Sequence, residues 1–168
     1  FEDLERQRAL IPLVVEEGGE DMVGGKTTAH AYLFIKLAEG LGISKDEVFT
    51  TPYLPTTIIE KNELFLLQRS STLEALCGGN IATESINPVH MQRMADAMEK
   101  HYGVARAALD FYYVHMEVEG DHSDRAVRIL SKLAVTDEEQ ARGLLALRRA
   151  LTARRICADG MLAAFVSR

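Results

Sequence analysis

Apolar residues recur at steps of three and four along almost the whole chain, and the strict alternation of a half-buried strand is rare. That periodicity restricts the fold class to all-α. Its breaks predict five or six helices. The first runs from about Asp3 to Glu17 and stops at Gly18-Gly19, a pair suited to a turn rather than a helix interior. Asp21 to Thr28, with Gly24-Gly25 inside it, reads as the longest polar loop. A second helix starts near Thr28, sets His30, Leu33, Phe34, Leu37 and Leu41 on one stripe, and ends at Gly40 and Gly42.

Ser44 with Glu47 three residues later forms a capping box, although Pro52 and Pro55 limit the next stretch to a short helix and a bend. Helical patterning then covers Thr56 to Ser71 and Thr72 to about Asn87. Pro88 kinks or restarts the latter, which continues through Met91, Met94 and Met98, read as core filling, to Tyr102-Gly103. A long helix is predicted from Val104 to about Ala134. Thr136 and Glu139 form a second capping box and open the last helix, with Leu144, Leu147, Leu151 and Leu162 facing inward.

With 168 residues, 47% hydrophobic and 26% charged, the chain suits a single folded domain, 1–168, and not a disordered one. The formal charge of −6 is spread out, with no Lys/Arg run to track a phosphate backbone, so nucleic acid is not an expected partner. Cys77 and Cys157 form no CxxC and read as small core hydrophobes in a reducing, cytoplasmic setting. No apolar run approaches the roughly 20 residues that span a bilayer, and no signal-peptide pattern opens the chain. It starts at Phe1, without Met and inside a helical pattern, so a leading segment is expected to precede it.

The chemistry concentrates between Phe111 and His122. Residues four and seven apart share a helix face, so His115, Glu119 and His122 point one way while Glu117 and Asp121 point elsewhere. The stripe extends backwards through Tyr112, Phe111 and Ala108 and forwards through Ala126, Ile129 and Leu133, so the polar trio interrupts an apolar, core-facing row. A carboxylate buried there costs several kcal/mol unless it is paired or bound to metal. His plus carboxylate with open positions suits non-heme iron, and helical bundles build dinuclear sites from inward Glu and His.

One helix with three ligands leaves two metals under-coordinated, which directs attention to other polar residues on apolar stripes. Glu84 follows Leu73, Cys77 and Ile81 and precedes Met91, near one face if the helix runs through Pro88. His30 heads its own apolar stripe, and Glu17 closes the one containing Leu10, Leu13 and Val14.

At these positions the sequence resembles the heme-oxygenase-like diiron oxidases and oxygenases. The resemblance rests on His115-x3-Glu119-x2-His122, on Ala82-Thr83-Glu84-Ser85-Ile86-Asn87-Pro88 upstream, on Glu16-Glu17-Gly18-Gly19, and on His30 leading a helix that ends Gly40-Leu41-Gly42. It covers about Leu10 to Leu133. It implies a heme-oxygenase-like helical bundle and a metal set of Glu17, His30, Glu84, His115, Glu119 and His122. Two departures stand out: the family usually carries Asp where this chain has Glu119, and the interval to His30 suits Glu20 better than Glu17, although Glu20 lies beyond the glycine pair.

The resemblance further implies two Fe(II) ions, O2 as co-substrate, and a small organic substrate such as an amino acid, amine or fatty acid. The outcome would be N-oxygenation, hydroxylation, desaturation or oxidative C–C cleavage, in natural-product biosynthesis. A homodimer is compatible with it. Rival readings are a metal-free thiaminase-like or quinone-cofactor-synthesis-like enzyme of the same fold, heme oxygenase itself with one axial His, and a non-enzymatic helical module.

Taken singly, the residues have blander readings. A lone buried His is most often hydrogen-bonded core, and Glu84 could cap or pair with a cation. His90 and His101 fall off the candidate faces. Tyr112 and Tyr113 either line a pocket or pack in the core, and Arg69, Arg148 and Arg149 either hold a substrate carboxylate or lie solvated on the surface.

Overall fold

The computed structural model describes residues 29–166 and, within them, every side chain except those of 117–123. In chain order its helices are α1 (His30–Gly40), α2 (Lys45–Thr50), α3 (Pro55–Gln68), α4 (Thr72–Ala75), α5 (Ala82–Glu84), α6 (Asn87–Tyr102), α7 (Asp110–Leu133) and α8 (Asp137–Phe165). A π turn, Leu76–Ile81, joins α4 to α5, and a 3-10 turn, Arg106–Ala108, precedes α7. The described residues contain no strand, as the periodicity requires. The predicted first helix and the loop from Asp21 to Thr28 lie outside them. Contacts cluster in two compact units, one of residues up to Thr51 with Asn87–Gly120, the other of Pro52–Ile86 with Asp121 onward.

In the first unit α1 turns His30, Leu33, Leu37 and Ala38 inward. Phe34 and Leu41, expected on the same stripe, are 47% and 37% exposed, so the buried row drifts off them by one position. The helix ends because Gly42 adopts φ 79°, a left-handed conformation open to glycine at no steric cost. Ser44 then caps α2 as its sequence predicts: its Oγ accepts from the Glu47 amide at 3.2 Å, and the Glu47 carboxylate accepts from the Ser44 amide at 2.9 Å.

Gly103, at φ 65°, ends α6 in the same manner, and the Val104 amide reaches back to the Met98 carbonyl at 3.2 Å. That turn is why the long helix starts at Asp110 and not at Val104 as expected. Leu37, Ala95, Val104, Leu109 and Tyr112 form the core of the unit, with Met91 and Met98 packed on it. Met94, expected to join them, is 44% exposed. Lys36 binds Asp110 at 2.7 Å, fixing α1 to the first turn of α7, where a carboxylate also suits the helix dipole.

The second unit packs α3 and the α4–π–α5 segment against α8. Its buried core is Leu67, Ala82, Ala146 and Ala150, with Leu64, Cys77 and Leu147 against it. The expectation for α8 needs correction. Leu144, Leu151 and Leu162 are 55%, 40% and 56% exposed, while Gly143, Ala146, Ala150, Ala153 and Cys157 are buried. Leu147 alone of the predicted leucines joins the core. The reason is close approach: a Cβ at Gly143 would sit 3.0 Å from Cys77 Sγ, and one at Gly160 would collide with Thr56. A helix held this near accepts small side chains on its inner face and sends its leucines outward.

Three arginines of α8 grip acids on the facing segments. Arg142 binds Glu74 through two nitrogens at 3.0 and 3.2 Å, Arg149 binds Glu63 at 2.5 Å, and Arg154 lies 3.6 Å from Glu60. Both cysteines are free thiols, as expected. Burial pushes both up from the ordinary thiol value.

The capping box at Thr136 forms as predicted, with the Thr136 amide donating to Glu139 at 2.9 Å and the Glu139 amide donating to Thr136 Oγ1 at 3.2 Å. Thr136→Ala should cost about 1 kcal/mol in urea unfolding. The Thr136 backbone bond, then its hydroxyl, hold the Glu139 carboxyl below its usual 4.5. A depressed folded value means the carboxylate stabilises the protein above its unfolded pKa and loses that effect as pH falls through the folded one. The penalty of Thr136→Ala should therefore shrink below about pH 4.5, and a penalty constant with pH would exclude a contribution from the bond between the Thr136 hydroxyl and the Glu139 carboxylate.

Candidate metal centre

His30 is the first residue of α1, and His115 is the sixth residue of α7. Folding of the first unit brings their rings to 4.4 Å between centroids, tilted by 50°. Both are buried, at 9% and 8% exposure. The Phe111 ring stands 4.4 Å from the His115 ring on the same helix, and Phe34 meets Phe111 edge-on at 5.5 Å. Two imidazoles are thus brought together beside an aromatic pair.

His115 Nδ1 lies 2.5 Å from the Phe111 carbonyl oxygen. A carbonyl can only accept, so Nδ1 carries the proton, and in the neutral ring the lone pair then belongs to Nε2. Metal-binding histidines are oriented in this way, with one nitrogen donating to a backbone or carboxylate oxygen and the other left as the ligand atom. The donor chemistry of the pair fits a divalent transition metal.

Glu84 closes α5 in the second unit. Its Oε1 accepts from Asn80 Nδ2 at 2.8 Å, and its Oε2 is buried. The expected stripe of Leu73, Cys77, Ile81 and Glu84 assumed an unbroken α-helix through Pro88. The chain instead widens into the π turn at Leu76–Ile81 and turns at Ser85-Ile86, so the fully buried positions are Leu73, Leu76, Gly78 and Ala82, with Glu84 half-buried.

Of the remaining candidates, Glu17 and Glu20 lie outside the described residues, as do the side chains of Glu119 and His122. The backbone of α7 runs helically through both of the latter positions. They fall on the row marked by buried Tyr112 and His115 before them and buried Ala126 and Ile129 after them, as the sequence pattern predicts. Among the described residues no three His, Cys, Asp or Glu side chains converge as a metal site.

Tyr112 is core, and burial pushes its phenol above the usual tyrosine value, so it stays protonated. Tyr113 lies under the Arg106 guanidinium, 3.0 Å from its ring centre. Arg148 and Arg149 border an apolar groove of about 410 Å³ between α3 and α8, lined by Ile59, Leu145 and Ile156. His90 and His101 are exposed. Two contributors escaped the sequence reading: the Phe111 carbonyl and the Asn80 amide. Each lies four residues before the residue it holds, a spacing that could have pointed to them.

The described residues form an all-α fold whose first unit brings two buried imidazoles, His30 and His115, side by side. The chain belongs to the iron-containing redox enzyme family, whose model it matches over residues 4–155, within the heme-oxygenase-like superfamily. No curated protein and no solved structure matches it.

Proposed function

We propose that the chain is a non-heme diiron oxidase or oxygenase that uses O2 to oxidise a small amino acid, amine or fatty acid in natural-product biosynthesis. The iron ions would be held by His30, His115, Glu84, Glu119, His122 and an early carboxylate, Glu17 or Glu20. The observation that carries this reading is the His30–His115 pair, with the His115 tautomer set by the Phe111 carbonyl, in a family that holds iron. Bound Fe(II) supplies the electrons that activate O2, a reaction closed to ordinary side chains.

The chain's own residues define the rest. The Phe111 carbonyl keeps the proton on His115 Nδ1 and fixes the ring's rotation. Phe111 packs its ring against the His115 imidazole, with Phe34 edge-on to Phe111, which puts apolar surface beside that donor.

Anaerobic loading with Fe(II), followed by metal analysis and optical spectroscopy on adding O2 with candidate substrates, tests the proposal. About two irons per chain and an O2-dependent absorption change are expected, by the dinuclear chemistry of inward Glu and His on helical bundles. Trace iron in every condition would sink it.

A further inference from the structure

The segment Leu76-Cys77-Gly78-Gly79-Asn80-Ile81 is poor helix material, since each glycine costs about 1 kcal/mol relative to Ala and Asn ranks low. Only one of the glycines has a packing reason. A Cβ at Gly78 would lie 2.6 Å from Leu67 Cδ1, so a side chain there is blocked. A Cβ at Gly79 would meet nothing nearer than Gln68 Nε2 at 3.8 Å. Gly79 therefore serves the backbone, and the backbone here is the π turn, with the Ala82 amide reaching five residues back to Cys77.

Such a wide turn inserts one residue into the register and rotates everything after it, and it recurs at functional sites. Hydroxyls next to it engage its carbonyls: Thr83 Oγ1 donates to Gly79 and Ser85 Oγ donates to Ile81 at 2.5 Å. Three residues after the turn stands Glu84, with Asn80 Nδ2 donating to its Oε1.

We propose that the π turn and Asn80 form a positioning device for Glu84, with the turn setting its helical register and the amide fixing the plane of its carboxylate for iron. This rests on the reading of Glu84 as a ligand. Asn80 is a positioning residue: a neutral amide donor orients the carboxylate without adding charge or competing as a ligand, as an Asp or His in its place would. Outer partners of this kind typically change metal affinity 10–100-fold when removed.

The test is Fe(II) affinity under anaerobic conditions, by competition with a chelator, for the wild type, Asn80→Leu, Asn80→Ser, Gly79→Ala and Glu84→Ala. Asn80→Leu removes the donor at similar size, and Asn80→Ser is the better-folding control that cannot reach Glu84. Both Asn80 variants should weaken the tighter binding step about 10–100-fold, with thermal unfolding of the iron-free protein nearly unchanged. Gly79→Ala, which favours an ordinary α turn, should weaken iron binding while raising iron-free stability. Wild-type affinity in the Asn80 variants, with binding lost in Glu84→Ala, would overturn the positioning role and leave Glu84 a ligand. Wild-type binding in Glu84→Ala would overturn both.

Discussion

His115→Ala should hold at most about half of the wild-type iron after anaerobic loading, and the iron it keeps should exchange faster with chelator. A first ligand does more than its outer partners, whose loss alone costs 10–100-fold, so the affinity of the damaged site should fall by more than about 100-fold. The ring also packs between Phe111 and His30, so its removal opens a cavity in a buried cluster. Partial unfolding could therefore mimic loss of a ligand. His115→Gln separates the two effects: it keeps most of the volume and a polar tip but replaces a strong nitrogen donor with a weak amide. Low iron in a folded Gln variant is the expected outcome. Wild-type stoichiometry in both variants would remove His115 from the ligand set, and with it the observation on which the diiron reading stands.

Leu67→Ala should lower the unfolding free energy by about 3 kcal/mol, within the range for fully buried leucines. Leu67 is 0% exposed at the centre of the second unit's core. Gly78→Ala should also destabilise, by about 1–3 kcal/mol, because its new methyl would press on Leu67. The informative protein is the double variant. Removing the leucine branches vacates the space the Gly78 methyl would enter, so the two penalties should fall short of their sum by at least about 1 kcal/mol. Strict additivity in urea unfolding would mean that the close approach of α3 to the π turn does not limit side-chain size there.

The sequence disclosed much of this through local rules. Both capping boxes, Ser44 with Glu47 and Thr136 with Glu139, formed where their residues require. His115 was legible because apolar neighbours at helical spacing surround it, and Tyr112, Ala126 and Ile129 are buried on that row. The expectations that failed depended on partners or on register. Leucine is ordinarily the inward residue of an amphipathic helix, yet on α8 the nearness of Leu73, Cys77 and Thr56 leaves room only for Gly, Ala and Cys. Gly143, Ala146, Ala150, Ala153, Cys157 and Gly160 recur at steps of three and four, a small-residue row that marks a close neighbour, but the leucine row beside it reads as the inner face. The stripe leading to Glu84 was drawn at a constant 3.6 residues per turn, and a π turn breaks that assumption without changing composition. Iron is read from the chemistry of the His115, Glu119 and His122 row together with the family resemblance, and the family match supports it, since spacing alone shows which side chains share a face and not what they hold.

The three arginine–carboxylate contacts of α8 have a role that their strength does not suggest. Exposed pairs of this kind contribute about 0–1 kcal/mol each. The face of α8 between them is nearly smooth, made of glycine, alanine and cysteine, and a smooth face gives little steric resistance to sliding by one helical turn. Along α8 the contacts fall at 142, 149 and 154, while their acids run in the opposite direction at 74, 63 and 60. The unequal intervals, seven and five on one side against eleven and three on the other, work like a vernier: a shift that aligns one pair misaligns the others. Weak contacts thereby select a single antiparallel alignment, and the small-residue seam can remain tight without being ambiguous.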